Sequence, residues 1–191
     1  MPHSIGILGG TFDPVHFGHL AIATAAVDQL DLDLLLLIPN ARSPLKVSGP
    51  IASFEDRVAM LRLAVADQER LQISQVEGVR GETSYTIDTL KQLFADYTGA
   101  RFVLIVGADA LAELHLWKQH EDIRRLAQIA YVGRPGSTGS GNSAGATRID
   151  MPPIDISSTL IRDRVHRGLP IDEFVPPAVA EYIAAHHLYS A

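Results

Sequence analysis

The 191-residue chain contains no cysteine, which excludes disulfide bonds, thiolate nucleophiles and cysteine metal sites. Its start also lacks the basic and then apolar pattern of a secretion signal, and together these absences predict a cytoplasmic protein. The longest strongly apolar run, Leu34 to Ile38, is too short to span a bilayer, so no membrane partner is expected.

Basic residues are also scarce. The 16 Lys and Arg residues are outnumbered by 22 Asp and Glu residues, which gives a net charge of −6. A protein that binds DNA or RNA non-specifically is usually basic, and we therefore expect no nucleic-acid partner. An acidic protein can still bind a phosphorylated ligand where its few basic side chains converge on one cleft.

The sequence does contain a regular alternation of short apolar runs and segments with helical spacing. Apolar residues make up 47% of the chain, enough for the core of one domain over residues 1–191. The predicted strands are Ser4–Leu8, Leu34–Ile38, Leu71–Val76, Phe102–Val106, Ile129–Val132 and Arg148–Met151. Predicted helices begin near Phe17, after a Ser53 cap, near Ile87 and Gln119, at Ser158 and at Pro176-Pro177. The alternation predicts an α/β fold: a Rossmann-like, doubly wound, mainly parallel sheet with helices on both faces.

Ligands of such folds bind at the carboxyl ends of the strands. Gly9-Gly10-Thr11, Gly107-Ala108-Asp109 and Arg134 each come just after a predicted strand, and we expect them at this binding edge. The segment 136–147 consists only of Gly, Ser, Thr, Ala and Asn, a composition that predicts a flexible surface loop.

The run GGTFDPVHFGH, from Gly9 to His19, follows the first strand and opens the first helix. Paired glycines let the backbone approach a phosphate, and a helix start offers N–H groups to it. His16 and His19 are three residues apart, so both can face one cleft and donate to a phosphoryl group. Two other interpretations stay open. The glycines could form a tight turn beside a capping and a surface histidine, or the histidines could bind a metal, for which no third ligand is evident.

A second motif, ISSTLIR, ends at Arg162. Its three hydroxyl residues, Ser157, Ser158 and Thr159, stand at a predicted helix start, and one of them is needed as the cap. The others, with the planar guanidinium of Arg162, suit a second phosphate site. Taken alone, a capped helix with a surface arginine explains this motif as well.

Together, the two motifs resemble the paired motifs of a nucleotidyltransferase superfamily, and GGTFDP is similar to its nicotinate and nicotinamide mononucleotide branch. Arg57, Tyr85-Thr86, Gly107-Ala108-Asp109, Trp117 and Arg134 follow in the order of that branch. The resemblance implies transfer of the adenylyl group of ATP to nicotinate mononucleotide, with release of pyrophosphate. The chain departs from the family at one position. Members of the family often have a histidine just before a lysine, and in this chain Leu45 precedes Lys46.

The resemblance also implies roles for individual residues. His16, His19 and Arg162 would be catalytic. ATP and its phosphates would be bound by Gly9, Gly10, Thr11, Phe12, Lys46, Gly107, Asp109, Ser157, Ser158 and Thr159. The nicotinate nucleotide would be bound by Asn40, Tyr85, Thr86, Trp117 and Arg134. No protein ligand for a metal is implied, and Mg²⁺ is expected to be held mainly by phosphates and water.

Simpler roles stay open for four of these residues. Asp109 and Thr86 could each cap a helix, Trp117 could pack in the core, and Arg134 could lie on the surface. For the whole chain, the alternatives are a sister transferase acting on nicotinamide mononucleotide or another phosphate ester, a non-catalytic nucleotide sensor, and a two-histidine metallohydrolase. The sequence does not set the oligomeric state, and a homo-oligomer stays open.

Overall fold

A six-stranded sheet organises the chain in the computed structural model, which describes residues 2–41, 49–80, 85–133 and 145–190. The strands are β1 (Ser4–Gly10), β2 (Leu34–Pro39), β3 (Leu71–Ile73), β4 (Arg101–Gly107), β5 (Ala127–Val132) and β6 (Ala146–Ile149). The helices are α1 (Phe17–Gln29), α2 (Phe54–Ala64), α3 (Val76–Arg80), α4 (Thr86–Asp96), α5 (Ala108–Ala112), α6 (His120–Leu126), α7 (Ser158–His166) and α8 (Pro177–Ala185), with a 3₁₀ turn at Leu114–Leu116.

The strands lie in the order β3-β2-β1-β4-β5-β6, and neighbouring strands run parallel. The chain builds outward from β1 to β3 and then returns to place β4 on the other side of β1. The carboxyl ends of β1 and β4 are therefore neighbours at the point where the strand order reverses. Open sheets of this kind bind ligands at that point. The predicted doubly wound parallel sheet is confirmed.

Side chains of the central strands alternate between two separate apolar layers. In β2, Leu35 and Leu37 belong to the layer formed with α1, α2, α7 and α8. Leu34, Leu36 and Ile38 belong to the opposite layer, formed with α4 and α6. Because both faces of these strands are buried, their sequences are continuous apolar runs rather than alternating ones.

Local signals place several helix starts correctly. The Ser53 hydroxyl accepts the backbone N–H of Asp56 at 3.0 Å and caps α2, as predicted. Pro177 is the first residue of α8, where its missing N–H costs no hydrogen bond.

Two predicted boundaries are wrong. The strand predicted over Leu71–Val76 ends at Ile73, and α3 begins at Val76. The segment predicted as a loop, 136–147, includes the first residues of β6, because Ala146 pairs with Ile129 of the neighbouring strand. Pairing across a sheet depends on the partner strand, so the composition of this segment did not reveal that it contains the start of β6. Residues 136–144 of the segment lie outside the described ranges. None of the helices in the described ranges is long and apolar enough to cross a membrane.

Candidate active site

The loop between β1 and α1 is folded tightly onto itself. A Cβ atom on Gly10 would lie 2.9 Å from the ring of Phe12, so this position needs glycine. Phe12 has a left-handed φ of 50°, and its buried ring meets the His19 ring edge-on at 4.9 Å. Because the Phe12 ring is buried against His19, a phosphate contact from Phe12 would have to come from its backbone.

The two histidines of the motif are stacked at the start of α1. Their ring centroids are 3.7 Å apart, and the backbone N–H of His16 donates to Nδ1 of His19 at 3.3 Å. A neutral His19 ring that accepts at Nδ1 carries its proton on Nε2. Gly18 makes room for this stack, since a Cβ there would lie 3.0 Å from Nδ1 of His16. His19 therefore has an N–H donor at the end of its ring.

His16 is only 6% exposed, and burial lowers its pKa from 6.5 to about 4. The ring is therefore neutral at pH 7. The two histidines were predicted to donate to a phosphoryl group; His16 has no positive charge of its own and can contribute only hydrogen bonds. A positive charge on the protein for this purpose has to come from another side chain.

Arg162 supplies such a charge. Its Nη1 donates to the backbone carbonyl of Asp13 at 2.7 Å, and its Nη2 donates to the Thr159 hydroxyl at 3.2 Å. The Ser158 hydroxyl donates to the carbonyl of Pro14 at 2.9 Å. The C-terminal motif is thus hydrogen-bonded directly to the loop of the N-terminal motif.

The three hydroxyl residues have separate functions in this contact. Ser157 caps α7 by accepting the N–H of Leu160 at 3.1 Å. Ser158 uses its single hydroxyl proton on Pro14, which differs from its predicted use as a phosphate donor. Thr159 accepts from Arg162 and helps to orient the guanidinium.

A first cleft of about 1130 Å³ opens over these groups. It is lined by the predicted catalytic residues His16, His19 and Arg162. It is also lined by Thr11, Gly107, Asp109, Ser157, Ser158 and Thr159. The tertiary structure therefore brings most of the residues predicted to bind ATP to one cavity, which excludes the interpretation of Arg162 as an unrelated surface residue.

A second cleft of about 520 Å³ lies beside the first. Its lining includes Asn40, Tyr85, Thr86 and Trp117, the described members of the predicted nicotinate-nucleotide set, together with Gly9 and Gly10. Asn40 lines both clefts, and its backbone N–H donates to the carbonyl of Gly10 at 2.9 Å. The two clefts therefore meet at the carboxyl ends of β1 and β2.

Comparison with known proteins agrees with this geometry. The sequence profile of the cytidylyltransferase-like family matches residues 7–164. A probable nicotinate-nucleotide adenylyltransferase of Opitutus terrae is 42% identical, over 97% of each chain. One of the same description from Roseiflexus sp. is 45% identical, over 97% of each chain. This chain belongs to the cytidylyltransferase-like family and to its nicotinate-nucleotide adenylyltransferase branch.

The fold of this family member is shared by solved structures. The nicotinic acid mononucleotide adenylyltransferase of Plasmodium falciparum, solved with APC, superposes with a TM-score of 0.79 at 19% identity, over 98% of this chain and 97% of that one. The same enzyme solved with NaAD superposes with a TM-score of 0.78. At this identity the likeness concerns the arrangement of strands and helices.

In this adenylyltransferase-family chain, Asp109 and Thr86 are not helix caps. The cap positions of α5 and α4 are occupied by Gly107 and Tyr85, so both interpretations as capping residues are wrong. Asp109 lies in the first turn of α5 and Thr86 is the first residue of α4, and each lines a cleft. Both side chains are thus positioned to meet a ligand.

Trp117 is half-buried, and its indole contacts the core as well as the second cleft. Its Nε1 is buried without a hydrogen-bond partner among the described residues. A buried indole N–H normally has a partner, so this group is available to a ligand that enters the cleft. Pure core packing therefore does not account for Trp117.

Three residues beneath the clefts were not predicted as site residues. Arg57 is 1% exposed, and its Nη1 donates to the carbonyls of Thr11 and Asn40 at 2.8 and 2.9 Å. The Asp13 carboxylate is buried and accepts the hydroxyl of Tyr189 at 2.8 Å. Two features of the sequence point to Arg57: it follows in the order of the family resemblance, and it stands among the apolar residues Phe54, Val58 and Leu61 at helical spacing.

Two predicted site residues, Lys46 and Arg134, lie outside the described ranges, as does Leu45. Within those ranges, no group of three or more His, Asp or Glu side chains is placed to hold a metal ion. In the part of the chain that the structure describes, His16 and His19 therefore have no third protein ligand with which to hold a metal, as a two-histidine metallohydrolase would need.

Proposed function

We propose that the chain transfers the adenylyl group of ATP to nicotinate mononucleotide, giving deamido-NAD and pyrophosphate, a step of NAD biosynthesis. The observation that carries this proposal is the meeting of the two clefts at Asn40, with His16, His19 and Arg162 on one side and Trp117 on the other. A triphosphate in the first cleft and a mononucleotide in the second would bring the acceptor phosphate next to the α-phosphorus of ATP.

The chemistry needs no protein nucleophile. The phosphate monoester of the acceptor has a second pKa of about 6 and is largely dianionic at neutral pH. One of its oxygens forms a bond to the α-phosphorus as the bond between that phosphorus and the bridging oxygen breaks, and pyrophosphate leaves with the electron pair. What remains for the protein is alignment and stabilisation of charge.

His19 and Arg162 are suited to these two tasks. The Nδ1 of His19 accepts from the backbone, which leaves Nε2–H as the donor that would meet the α-phosphate of an ATP bound in the first cleft. Arg162 carries a permanent positive charge and is held by Asp13 and Thr159. His16 is neutral and stacked on His19, and it keeps that ring in place. By resemblance, Lys46 would add a second positive charge.

The adenosine ribose and the pyridine ring of the two substrates suit other residues that line the clefts. In the first cleft, the carboxylate of Asp109 suits the hydroxyl pair of the adenosine ribose; Gly107, at the end of β4, lines the same cleft. In the second cleft, Trp117 offers an aromatic face and an N–H to the pyridine ring. Tyr85 lies under Lys118, whose Nζ is 4.4 Å from its ring centroid.

One observation favours nicotinamide mononucleotide as a second candidate acceptor. The buried carboxylate of Glu77 lines the second cleft and would attract an amide and repel a nicotinate carboxylate. Its Oε1 already accepts the Thr89 hydroxyl at 2.7 Å. Lys118, which forms an ion pair with Asp88 at 3.1 Å, also lines this cleft, and the relatives at 42% and 45% identity are described as nicotinate-nucleotide enzymes. We therefore expect nicotinate to be preferred.

Magnesium enters this scheme as part of the substrate. The described residues include no cluster of carboxylates that would hold Mg²⁺ on the protein. Mg²⁺ commonly binds through substrate phosphates and retained water, so the ion would arrive and leave with the nucleotide phosphates and stabilise their charge.

A coupled assay of pyrophosphate release tests the proposal. ATP and Mg²⁺ are supplied with nicotinate mononucleotide, nicotinamide mononucleotide or phosphopantetheine as the acceptor. Turnover with nicotinate mononucleotide well above the other two is expected. ATP binding without pyrophosphate release for any acceptor would contradict the proposal and support the nucleotide-sensor alternative.

A further inference from the structure

A residue near the end of the chain, Tyr189, contacts Asp13, which lines the first cleft. The hydroxyl of Tyr189 donates to Oδ1 of Asp13 at 2.8 Å, although 176 positions separate the two residues. The ring of Tyr189 is 8% exposed and is part of the apolar layer formed with α1 and α8. The hydrogen bond is therefore shielded from water.

The backbone adopts a left-handed conformation at two residues close to this contact. His187 and Tyr189 have left-handed φ values of 51° and 62°. Aromatic residues seldom adopt that conformation, so the surrounding contacts must stabilise it here. At His187 this conformation ends α8, since the N–H of Leu188 donates to the carbonyl of Ile183 at 3.0 Å.

Asp13 is the point where several segments meet. Its Oδ1 also accepts the N–H of Ala52 at 3.1 Å, and its Oδ2 accepts the N–H of Ile51 at 2.8 Å. The backbone carbonyl of the same residue accepts Nη1 of Arg162 at 2.7 Å. The contacts that hold the Asp13 side chain therefore also determine where the carbonyl that orients Arg162 lies.

Burial keeps the hydroxyl of Tyr189 protonated, so that it stays a hydrogen-bond donor. Burial, together with the neighbouring carboxylate of Asp13, raises the pKa of Tyr189 well above its ordinary range. Arg57 and Arg162 act on the same hydroxyl in the opposite direction but do not outweigh burial. The hydroxyl thus stays protonated and can hold the carboxylate throughout the working pH range.

We propose that Tyr189 is a positioning residue for adenylyl transfer: its hydroxyl holds the Asp13 carboxylate, and through the Asp13 peptide it orients the guanidinium of Arg162 over the first cleft. Tyr189 lines neither cleft, so it acts through Arg162 rather than on the substrate. This inference rests on the proposed function, since it concerns the position of Arg162 on the triphosphate.

The test compares two substitutions that each remove one tyrosine hydroxyl. Tyr189→Phe removes the hydrogen bond to Asp13. The matched control is Tyr182→Phe, which removes a bond of similar length, 2.9 Å, from the Tyr182 hydroxyl to Asp56, outside both clefts. We expect Tyr189→Phe to lower kcat about tenfold, the effect of one hydrogen bond to a charged group. We expect Tyr182→Phe to leave kcat unchanged, and both variants to keep the KM for the pyridine nucleotide within about twofold.

A double-mutant cycle separates positioning from a general loss of stability. In an Arg162→Ala background, Tyr189→Phe should change kcat by less than about twofold, because the group that it positions is gone. The same tenfold loss in both backgrounds, or equal kcat values for Tyr189→Phe and Tyr182→Phe, would overturn the proposal. If Tyr189→Phe unfolds at the assay temperature, the cycle is run at a lower temperature and rates are expressed per folded molecule, as measured by circular dichroism.

The wild-type chain distinguishes this inference from the proposed function. An inactive wild-type enzyme with every acceptor would contradict the function itself. An active wild-type enzyme with an unaffected Tyr189→Phe variant would contradict only the role of Tyr189.

Discussion

The buried, neutral state of His16 predicts a specific loss of stability in mild acid. Its folded-state pKa of about 4 lies below the unfolded value of 6.5, so protons bind preferentially to the unfolded chain. The stability that a neutral His16 contributes is complete above about pH 6.5, falls as the pH drops below that value, and reaches its full loss below about pH 4. With these two pKa values, the loss between about pH 7.5 and about pH 5 is about 2 kcal/mol in the free energy of unfolding.

Replacing His16 with glutamine removes this titration and retains a polar side chain. The free energy of unfolding is measured by urea titration at both pH values, with the fluorescence of Trp117, the only tryptophan in the chain, as the signal. The wild type should lose about 2 kcal/mol more than His16→Gln between the two pH values. The difference between variants isolates His16 from the carboxylates and the other histidines, which titrate in both proteins.

The matched control is His166→Gln, which removes an exposed histidine at the end of α7. This variant should keep the pH dependence of the wild type. If His16→Gln also keeps it, the ring of His16 is not shielded from water as the structure indicates, and its assignment as a neutral partner of His19 is wrong.

The other predictions concern catalysis, substrate recognition and packing. His19→Ala should lower kcat by roughly two to four powers of ten and leave the far-ultraviolet circular dichroism unchanged, because it removes a donor to the α-phosphate; near-normal turnover would refute this role. Trp117→Ala should raise the KM for the pyridine nucleotide far more than the KM for ATP, whereas equal changes would indicate a packing role only. Gly6→Ala should lower the free energy of unfolding by about 1–3 kcal/mol, because the added Cβ would lie 2.6 Å from a methyl group of Leu32 in the core. Gly49→Ala, whose added Cβ meets nothing within 4 Å, is the control in the same urea titration, and an equal loss in both variants would contradict the packing explanation.

Much of the fold follows from local patterns. Ser53, Ser157 and Pro177 each act on the first turn of their own helix, so the helix starts they mark could be predicted from neighbouring residues. The buried strands could be predicted from their apolar runs for a similar reason. The end of β3 could not, because that strand pairs with β2 through only three residues, a limit set by its neighbour.

The site divides in the same way. The glycines, histidines and hydroxyl residues form two short motifs, which local rules marked as candidate phosphate sites and the resemblance to a family joined into one site. The second cleft depended on the resemblance to a family, since no local rule places Asn40, Tyr85 and Trp117 in one cavity.

The sequence by itself therefore predicted the six strands and most of the helices, because these follow from residues that are close neighbours in the chain. It predicted the class of reaction through its resemblance to a family. Only the tertiary structure decided that His16 is neutral, since its pKa depends on burial by distant side chains. Only the tertiary structure showed that Ser158 is bound to Pro14 and that Tyr189 reaches Asp13. Hydrogen bonds and desolvation depend on distances in space, and those distances exist only once the sheet has brought the two ends of the chain together.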